Sequence, residues 1–388
     1  MKIKGKAGQI LEALQQTSQT LARKEDLPSS WLYLAARNGK EQRLLTYATD
    51  MVGKTLVKTP LDVEVEGEAL IRPRNLLAFL ASVPSEEEVT LSTDSNTENL
   101  RGRCLSIKVV VPVRAEGQSL AATVQDIPFG EKPLFTIKAK SLITLINRSM
   151  FCTTTERQLI FGCVYFMAAQ DGYEACATDG NICVEAFVAD PDSPGAESGV
   201  SLVVPAAGLQ PLLRLLAKHP EEVVQVLATK NASGEVSTAY FRFSDVLYGT
   251  LLVTDTYPNI KSVIYNEAHA AKQTFLGDGA LVADSVKRAI PFSENGRVQL
   301  ALKNNQVTVS SRGPITGSFQ EVVEGTDPEQ KIDATLVLGM SYVVPVLTNL
   351  HGPSLKLGIS ESGNHVRISD EADPEEKAVY LLGCIRNE

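Results

Sequence analysis

One phrase is written three times in this chain, and that repetition limits the fold more than any other feature. The middle copy, 201–229, reads SLVVPAAGLQPLLRLLAKHPEEVVQVLAT. It predicts a short buried strand at 202–204, a proline stop at Pro205, an amphipathic helix, a break at His219-Pro220 and a second strand at 223–227. Leu209, Leu212, Leu213 and Leu216 fall at i, i+3, i+4 and i+7, which is one helical face. The first copy, 69–93, is ALIRPRNLLAFLASVPSEEEVTLST, with Pro73 in the place of Pro205. The third, 335–360, is TLVLGMSYVVPVLTNLHGPSLKLGIS, with Gly339 in that place and Pro345 matching Pro211. Copies about 130 residues apart are too distant for a solenoid, whose short units need neighbours to bury a core; the spacing is that of a whole domain. Three tandem domains are expected, at 1–131, 132–268 and 269–388.

The surrounding order supports three similar units. In the first, a helix is expected at 8–22 with Leu11, Leu14, Ser18 and Leu21 inward, and the Arg23-Lys24-Glu25-Asp26 turn follows it. Alternating runs at 31–36 and 44–49 flank Asn38-Gly39, a hairpin signal. Strands at 99–103 and 105–113 and a polar linker at 115–132 close the unit. The second unit repeats this with a helix at 140–150 (Leu142, Ile143, Ile146 and Met150 inward), a hairpin of 159–168 with 173–178, and strands at 181–188, 238–243 and 249–254. A linker is expected near 266–272. The third unit has a helix at 280–290, strands at 298–303 and 306–311 meeting at Asn304-Asn305, and closing strands at 365–369 and 379–385. Antiparallel runs with two helices per unit predict an α+β fold, helices packed on one face of the sheets.

Composition then narrows the function classes. No apolar run approaches the ~20 residues that cross a bilayer, and the N-terminal MKIKGKAGQILEALQQ becomes an amphipathic helix rather than an apolar signal core, so a cytoplasmic location is expected. A net charge of −9 argues against a surface that grips nucleic acid everywhere, but leaves room for a local basic face. The six cysteines form no Cys-x-x-Cys pair and the four histidines are scattered, so buried thiols are expected rather than a metal site, and no cofactor. An enzyme needs convergent reactive groups. Asp179 with Cys176 or Cys183 is a weak carboxylate–thiol candidate without a histidine nearby, and no Gly-x-x-x-x-Gly-Lys phosphate loop exists.

Longer phrases carry a resemblance. ATDGNICVEAFV at 177–188, SLVVPAAGLQPLLRLL at 201–216, YPNIKSVI at 257–264, LGMSYVVPVLTNL at 338–350 and YLLGCIR at 380–386 stand in the order and spacing of the bacterial DNA polymerase sliding clamp, the beta subunit of the replicative polymerase. The chain resembles that family over essentially its full length. The resemblance implies a homodimeric, head-to-tail ring of six similar units, with helices lining a central hole and sheets outside. Such a ring encircles duplex DNA without reading its sequence. It is placed by a clamp loader and tethers the replicative polymerase and other replication and repair proteins, with no catalysis of its own. It implies a dimer contact between the strands at 90–111 and the region 278–302, with Cys104 near it.

Two sets of site residues follow from the resemblance. Sliding on DNA requires scattered cations toward phosphate rather than base readout. The candidates are Arg74, Lys140, Arg148, Arg214, Lys218, Lys287 and Arg288 on helices, with Arg23, Lys24 and Arg157 in loops that match the family's DNA-contacting turns. Any one of these is as readily a solvated surface side chain. Ala206-Ala207 stand where the family often has basic residues, which predicts a lighter hold on DNA there. The second set is a pocket for a linear peptide. Its candidates are Ile160, Thr178, Gly180, Asn181, Ile182 and Cys183, then Pro258, Ser262 and Val263, then Leu381, Leu382, Gly383, Cys384, Ile385 and Arg386. The family's His-Arg after Thr-Asp-Gly is Asn181-Ile182 here, and its Met-Pro-Met-Arg ending is Gly383-Cys384-Ile385-Arg386, so a differently shaped pocket is expected. A monomeric three-domain peptide adaptor that never encircles DNA is the rival reading.

Overall fold

Each copy of the repeated phrase folds as strand, helix, strand. The three are Gly67–Ile71, Arg74–Ser82 and Glu88–Asp94; Ser201–Pro205, Ala206–Leu216 and Val223–Lys230; and Asp333–Gly339, Met340–Asn349 and Leu355–Ser360. The computed structural model describes residues 1–21, 30–39, 42–50, 52–94, 99–104, 107–114, 132–156, 159–169, 171–190, 199–230, 234–327, 329, 331–350, 354–370 and 376–385. Pro211 and Pro345 both occupy the sixth residue of their helices. Each withholds one i→i−4 bond at an equivalent point. Every strand pairing described is antiparallel, giving an α+β fold. Among the described residues no helix is long and apolar enough to cross a membrane.

By compactness the chain divides into two units, one of 1–140 with 207–252 and the other of 141–206 with 253–388. The first contains a 13-stranded sheet running from Phe135–Lys138 at one edge to Asp62–Val65 at the other. The join inside it is the pairing of Val246–Leu251 with Gly53–Pro60, in register Leu247↔Leu56. Among the described residues, two core clusters lie in this unit. Ile3, Ile10, Leu14, Leu34, Leu76, Leu80 and Leu91 pack under the helices. Tyr33, Tyr47, Leu56, Leu227, Tyr240 and Leu247 form the other. The Ala206–Leu216 helix lies close on the Val246–Leu251 strand because Gly208 has no side chain. A Cβ there meets Thr250 Oγ1 at 2.1 Å, and the Gly208 carbonyl accepts the Tyr248 hydroxyl at 2.6 Å.

The second unit holds an eight-stranded sheet and a four-stranded one. In the eight-stranded sheet Ile182–Ala189 pairs with the closing strand Glu376–Gly383, in register Ile182↔Leu382 and Cys183↔Leu381. The four-stranded sheet is Gly317–Glu324, Gln306–Gly313, Arg297–Lys303 and Asp333–Gly339, covered by the Gly279–Ala289 helix.

Several elements differ from expectation. The first helix is Ala7–Thr17, and it buries Ile10, Ala13, Leu14 and Thr17 rather than Leu11 and Leu21. A strand at Lys2–Lys6 precedes it, its alternation anchored by Ile3 opposite Leu91. The helix expected at 140–150 is Ala139–Ser149 and turns Leu145 inward, with Ile143 and Met150 only half-buried. In the Ala206–Leu216 helix Leu215 is buried and Leu213 half-buried. Leu159–Gly162 is a 3-10 turn before the strand Cys163–Ala169. The stretch read as a second linker holds a 3-10 turn, Glu267–His269, and the strand Ala271–Gly277, which pairs with Leu355–Ser360. The strand Gly317–Glu324 has no counterpart in the sequence reading, because its pattern is mostly polar and exposed. The linker expected at 115–132 falls, except for its last residue, outside the described residues.

Candidate functional site

Thr178-Asp179-Gly180-Asn181 is a tight turn whose bonds are set by its own side chains. Thr178 Oγ1 donates to the Ile182 carbonyl at 2.8 Å and accepts the Gly180 N–H at 3.0 Å. Asp179 Oδ1 accepts the N–H groups of Asn181 and Ile182 at 2.7 and 2.9 Å. Gly180 carries φ 89°, which explains the glycine. The first repeat builds the same turn: Thr49 Oγ1 donates to the Gly53 carbonyl at 3.0 Å, and Asp50 Oδ1 accepts Val52 and Gly53 N–H groups at 2.8 and 2.6 Å. The second copy has an addition. Tyr342, on the Met340–Asn349 helix, donates to Asp179 Oδ2 at 2.8 Å and accepts from Asn181 Nδ2 at 3.1 Å.

This turn walls one side of a groove of about 520 Å³ in the second unit. The floor comes from Cys183 and Leu381 on the paired strands, with Pro258, Ile260 and Val263 lining the groove beside them. Ile260–Ile264 is a short helix capped by Asn259, whose Oδ1 accepts the Ser262 N–H at 3.1 Å, and it packs on Cys176, Cys183 and Leu381. Tyr257 secures its approach, stacking on Tyr165 at 5.5 Å and donating to the Cys163 carbonyl at 3.1 Å. The chain's closing segment is tied down by backbone bonds: Gly383 N–H to Asn181 O, Cys384 N–H to Asn364 O and Ile385 N–H to Val337 O, at 3.0, 2.8 and 2.8 Å. His269 and His365 complete the lining, with ring centroids 4.4 Å apart and His269 Nδ1 2.7 Å from the Val263 carbonyl.

Of the expected pocket residues, Thr178, Gly180, Asn181, Ile182, Cys183, Pro258, Val263, Leu381, Gly383, Cys384 and Ile385 line the groove. Three do not. Leu382 points to the other face of its strand and is buried there. Ile160 is buried in its 3-10 turn while the next residue, Phe161, faces the groove. The Ser262 hydroxyl turns back to donate to the Asn259 carbonyl at 2.7 Å. Arg386 lies outside the described residues. Phe161, Ile260, His269, Gly339, Tyr342 and His365 are lining residues that the sequence reading missed.

The cations distribute less evenly. Arg74, Lys140, Arg214 and Lys218 are exposed. Arg214 Nη1 reaches Gln19 Oε1 at 3.5 Å, and Lys218 lies in the turn beyond the helix rather than on a continuing face. Lys287 is 3.7 Å from Asp284, and Arg288 makes a bidentate pair with Glu321 at 2.8 and 3.0 Å. Arg148 requires a correction. It is 6% exposed, sharing the buried face of its helix with Leu145 and Ser149, and its carbonyl accepts the hydroxyl of fully buried Tyr380 at 3.0 Å. A guanidinium so placed is not presented to a phosphate. Arg23, Lys24 and Arg157 lie outside the described residues.

The thiols are poor nucleophiles. Burial pushes Cys176 and Cys183 up to about 12, and Cys163 and Cys384 up to about 11. Asp179 adds to the rise at Cys183, the reverse of an activating carboxylate. Among the described residues no three His, Cys, Asp or Glu side chains are placed to hold a metal ion.

The architecture is that of a DNA sliding clamp. Known structures matching this chain over its whole length include bacterial DNA polymerase III beta subunits, and the chain has their fold. A sliding clamp from Pseudomonas aeruginosa bound to griselimycin superposes with a TM-score of 0.84 at 17% identity, covering 100% of both chains. The Caulobacter crescentus polymerase III beta protein gives 0.81 at 21%, and a putative polymerase III beta subunit from Eubacterium rectale 0.84 at 15%, each over 100% of both chains. No protein-family model and no curated protein matches the sequence.

Proposed function

We propose that this chain is a sliding clamp of DNA replication, a non-catalytic processivity factor working as a head-to-tail homodimeric ring around duplex DNA. The observation that carries the reading is a full-length clamp fold with an apolar, open groove built around the Thr178–Cys183 turn. In this reading 1–131, 132–268 and 269–388 are three clamp domains, and the protein is cytoplasmic and associated with the nucleoid. Arg74, Lys140, Arg214 and Lys218 attract phosphates loosely, as sliding demands. The groove receives a short extended peptide from the polymerase, the clamp loader or another partner, its apolar side chains seated among Pro258, Ile260, Val263 and Leu381. Exposed Ile107 and Val110 on one side, and Leu281 on the other, are apolar side chains that a head-to-tail interface would bury.

The burial of Arg148 and the pairing of Arg288 with Glu321 favour a second reading, a monomeric peptide-binding adaptor, because they lower the number of cations offered to DNA. One experiment separates the two. Native mass measurement should give a dimer of the 41.9 kDa chain. Protein loaded on nicked circular DNA should be retained and then lost when the circle is cut, with charge reversal of Arg214 and Lys218 weakening retention. A monomer, or equal retention on linear and circular DNA, refutes the ring. Deleting 384–388 should abolish partner-peptide binding, and full-strength binding after that deletion refutes the groove assignment.

A further inference from the structure

A second cleft, of about 510 Å³, opens on the eight-stranded sheet and shares no lining residue with the groove. It lies where Ala271–Gly277, Leu355–Ser360 and the strand His365–Asp370 run side by side. Directly opposed residues of antiparallel strands share a face, and the register opposes Gly358 to Thr274 on one side and to Arg367 on the other, with Lys356 opposite Ser369. Residues two apart on a strand return to the same face, so two cations and two hydroxyls surround a position that carries no side chain. All five residues line the cleft. A Cβ at Gly358 would lie 2.8 Å from the Ala271 Cβ, so the position takes glycine. Tyr265 and Val379, which is opposite Ser369, supply an apolar flank. Arg367 is fixed in place: Nη2 donates to the Ile264 carbonyl at 2.5 Å, the guanidinium lies 5.4 Å from the Tyr265 ring centroid, and Nε is buried with no acceptor among the described residues. No Asp or Glu lines the cleft among the described residues. Glu174 and Glu185 hold Lys261 at 2.6 and 3.2 Å, and Asp370 turns to the opposite face of its strand. Glu267, Lys272 and Lys377 are exposed on the surrounding elements, and His269 and His365 belong to the groove. A chain of net charge −9 thus lines this concavity with cations as its charged groups.

We infer that this cleft binds a phosphate monoester, its phosphoryl group seated between Lys356 and Arg367 with the Ser369 and Thr274 hydroxyls donating to it, and its organic part against Tyr265 and Val379. None of these residues is assigned to DNA or to the groove above, so the site does not depend on the clamp reading. Charge and shape decide the class of ligand. A dianion matches two cations, and three terminal oxygens on one centre can accept from donors converging off three strands, whereas a carboxylate offers one charge and two oxygens in a plane. A guanidinium already held by Ile264 and Tyr265 loses little freedom on binding. The volume is that of a small-molecule site rather than of a surface dimple. A phosphate ester takes its second charge near pH 6, while lysine and arginine stay protonated well above that. Affinity should therefore rise about five- to tenfold from about pH 5 to about pH 7.5, as the monoanion becomes the dianion.

The test is isothermal titration calorimetry of the full chain with phenyl phosphate across that pH range, in a buffer free of other multivalent anions. Inorganic sulfate, a dianion throughout, controls for titration of the protein and should change by less than about twofold. Benzoate, with the same ring and one charge, should bind at least about tenfold more weakly than phenyl phosphate at the upper pH. Lys356→Gln and Arg367→Lys should each weaken phenyl phosphate about five- to twentyfold and Ser369→Ala about two- to fivefold, while Lys303→Gln, on the four-stranded sheet, leaves it unchanged. Arg367 also secures Ile264, so Lys356→Gln and Ser369→Ala carry the result if Arg367→Lys does not fold. A blocked phosphoserine tripeptide, titrated in parallel, assigns the source: tighter binding than phenyl phosphate points to a modified side chain of a partner, weaker binding to a free ester. Failure of both phosphate compounds to bind at about 10 mM overturns the site, as does an affinity indifferent to Lys356→Gln or to pH. Benzoate binding as tightly as phenyl phosphate overturns the assignment to phosphate.

Discussion

The bond between Tyr342 and Asp179 distinguishes the second Thr-Asp turn from its copy in the first repeat, and replacing Asp179 with alanine measures what it contributes. The carboxylate is 7% exposed and accepts from two backbone N–H groups and one phenol. Hydrogen bonds to a charged acceptor contribute about 1.5–3 kcal/mol each, and a buried donor left without a partner costs about 1–3 kcal/mol. These terms overlap, so Asp179→Ala should cost about 3–5 kcal/mol, near the top of the range for a single substitution. Asp50→Ala is the internal control: the same two backbone bonds without a tyrosine on a half-buried carboxylate, expected to cost about 1–3 kcal/mol. Urea unfolding followed by far-UV circular dichroism gives both values, and Tyr342→Phe completes a double-mutant cycle with Asp179→Ala. A coupling of about 1–2 kcal/mol is expected for a charge-assisted bond in a buried turn. A coupling below about 0.3 kcal/mol, or an Asp179→Ala cost no larger than that of Asp50→Ala, refutes the claim that the tyrosine holds this wall of the groove.

Two further outcomes test the packing and the pH response. Gly208→Ala should destabilise by about 1–2 kcal/mol despite the better helix propensity of alanine, because its Cβ meets Thr250 Oγ1 at 2.1 Å; a neutral or stabilising result in urea unfolding means the helix lifts freely from the strand. The His365 pKa is lowered in the folded protein by burial and then by His269, so the unfolded chain takes up its proton first as pH falls. Stability from this group is therefore complete above about pH 6.5 and is lost as pH falls through the lower folded value; His365→Asn should flatten the unfolding midpoint across that window, and an unchanged slope contradicts the assignment.

What was readable from the sequence was whatever local chemistry determines. The repeated phrase predicts strand, helix and strand because a proline or glycine stop and a leucine face act within about a dozen residues. The Thr178-Asp179-Gly180 turn is local in the same sense, since its bonds are made by its own side chains. The groove was less so. Leu381 lines it and Leu382 does not, a consequence of strand alternation that becomes certain only once Cys183 is seen opposite Leu381. Tyr342 reaches Asp179 across 163 residues, and its sole signal was a place in the third phrase just after Gly339. His269 sat in a stretch read as a linker, and only the pairing of Ala271–Gly277 with Leu355–Ser360 brings it to His365. Arg148 failed for a related reason: helical spacing places it beside Leu145 and Ser149 as readily as toward solvent, and the buried Tyr380 hydroxyl meets the helix on that side.

The low identity to proteins of the same fold, 15–21% among the clamps compared above, follows from what the fold demands. An antiparallel sheet under amphipathic helices needs alternation, a helical stripe and turns that satisfy their own backbone, and many side chains meet each requirement. Positions facing the groove are not set by those demands alone: among the described residues the lining carries no Asp, Glu, Lys or Arg, and its polar side chains include Thr178, Asn181, Tyr342, His269 and His365, drawn from positions as far apart in the chain as Thr178 and His365.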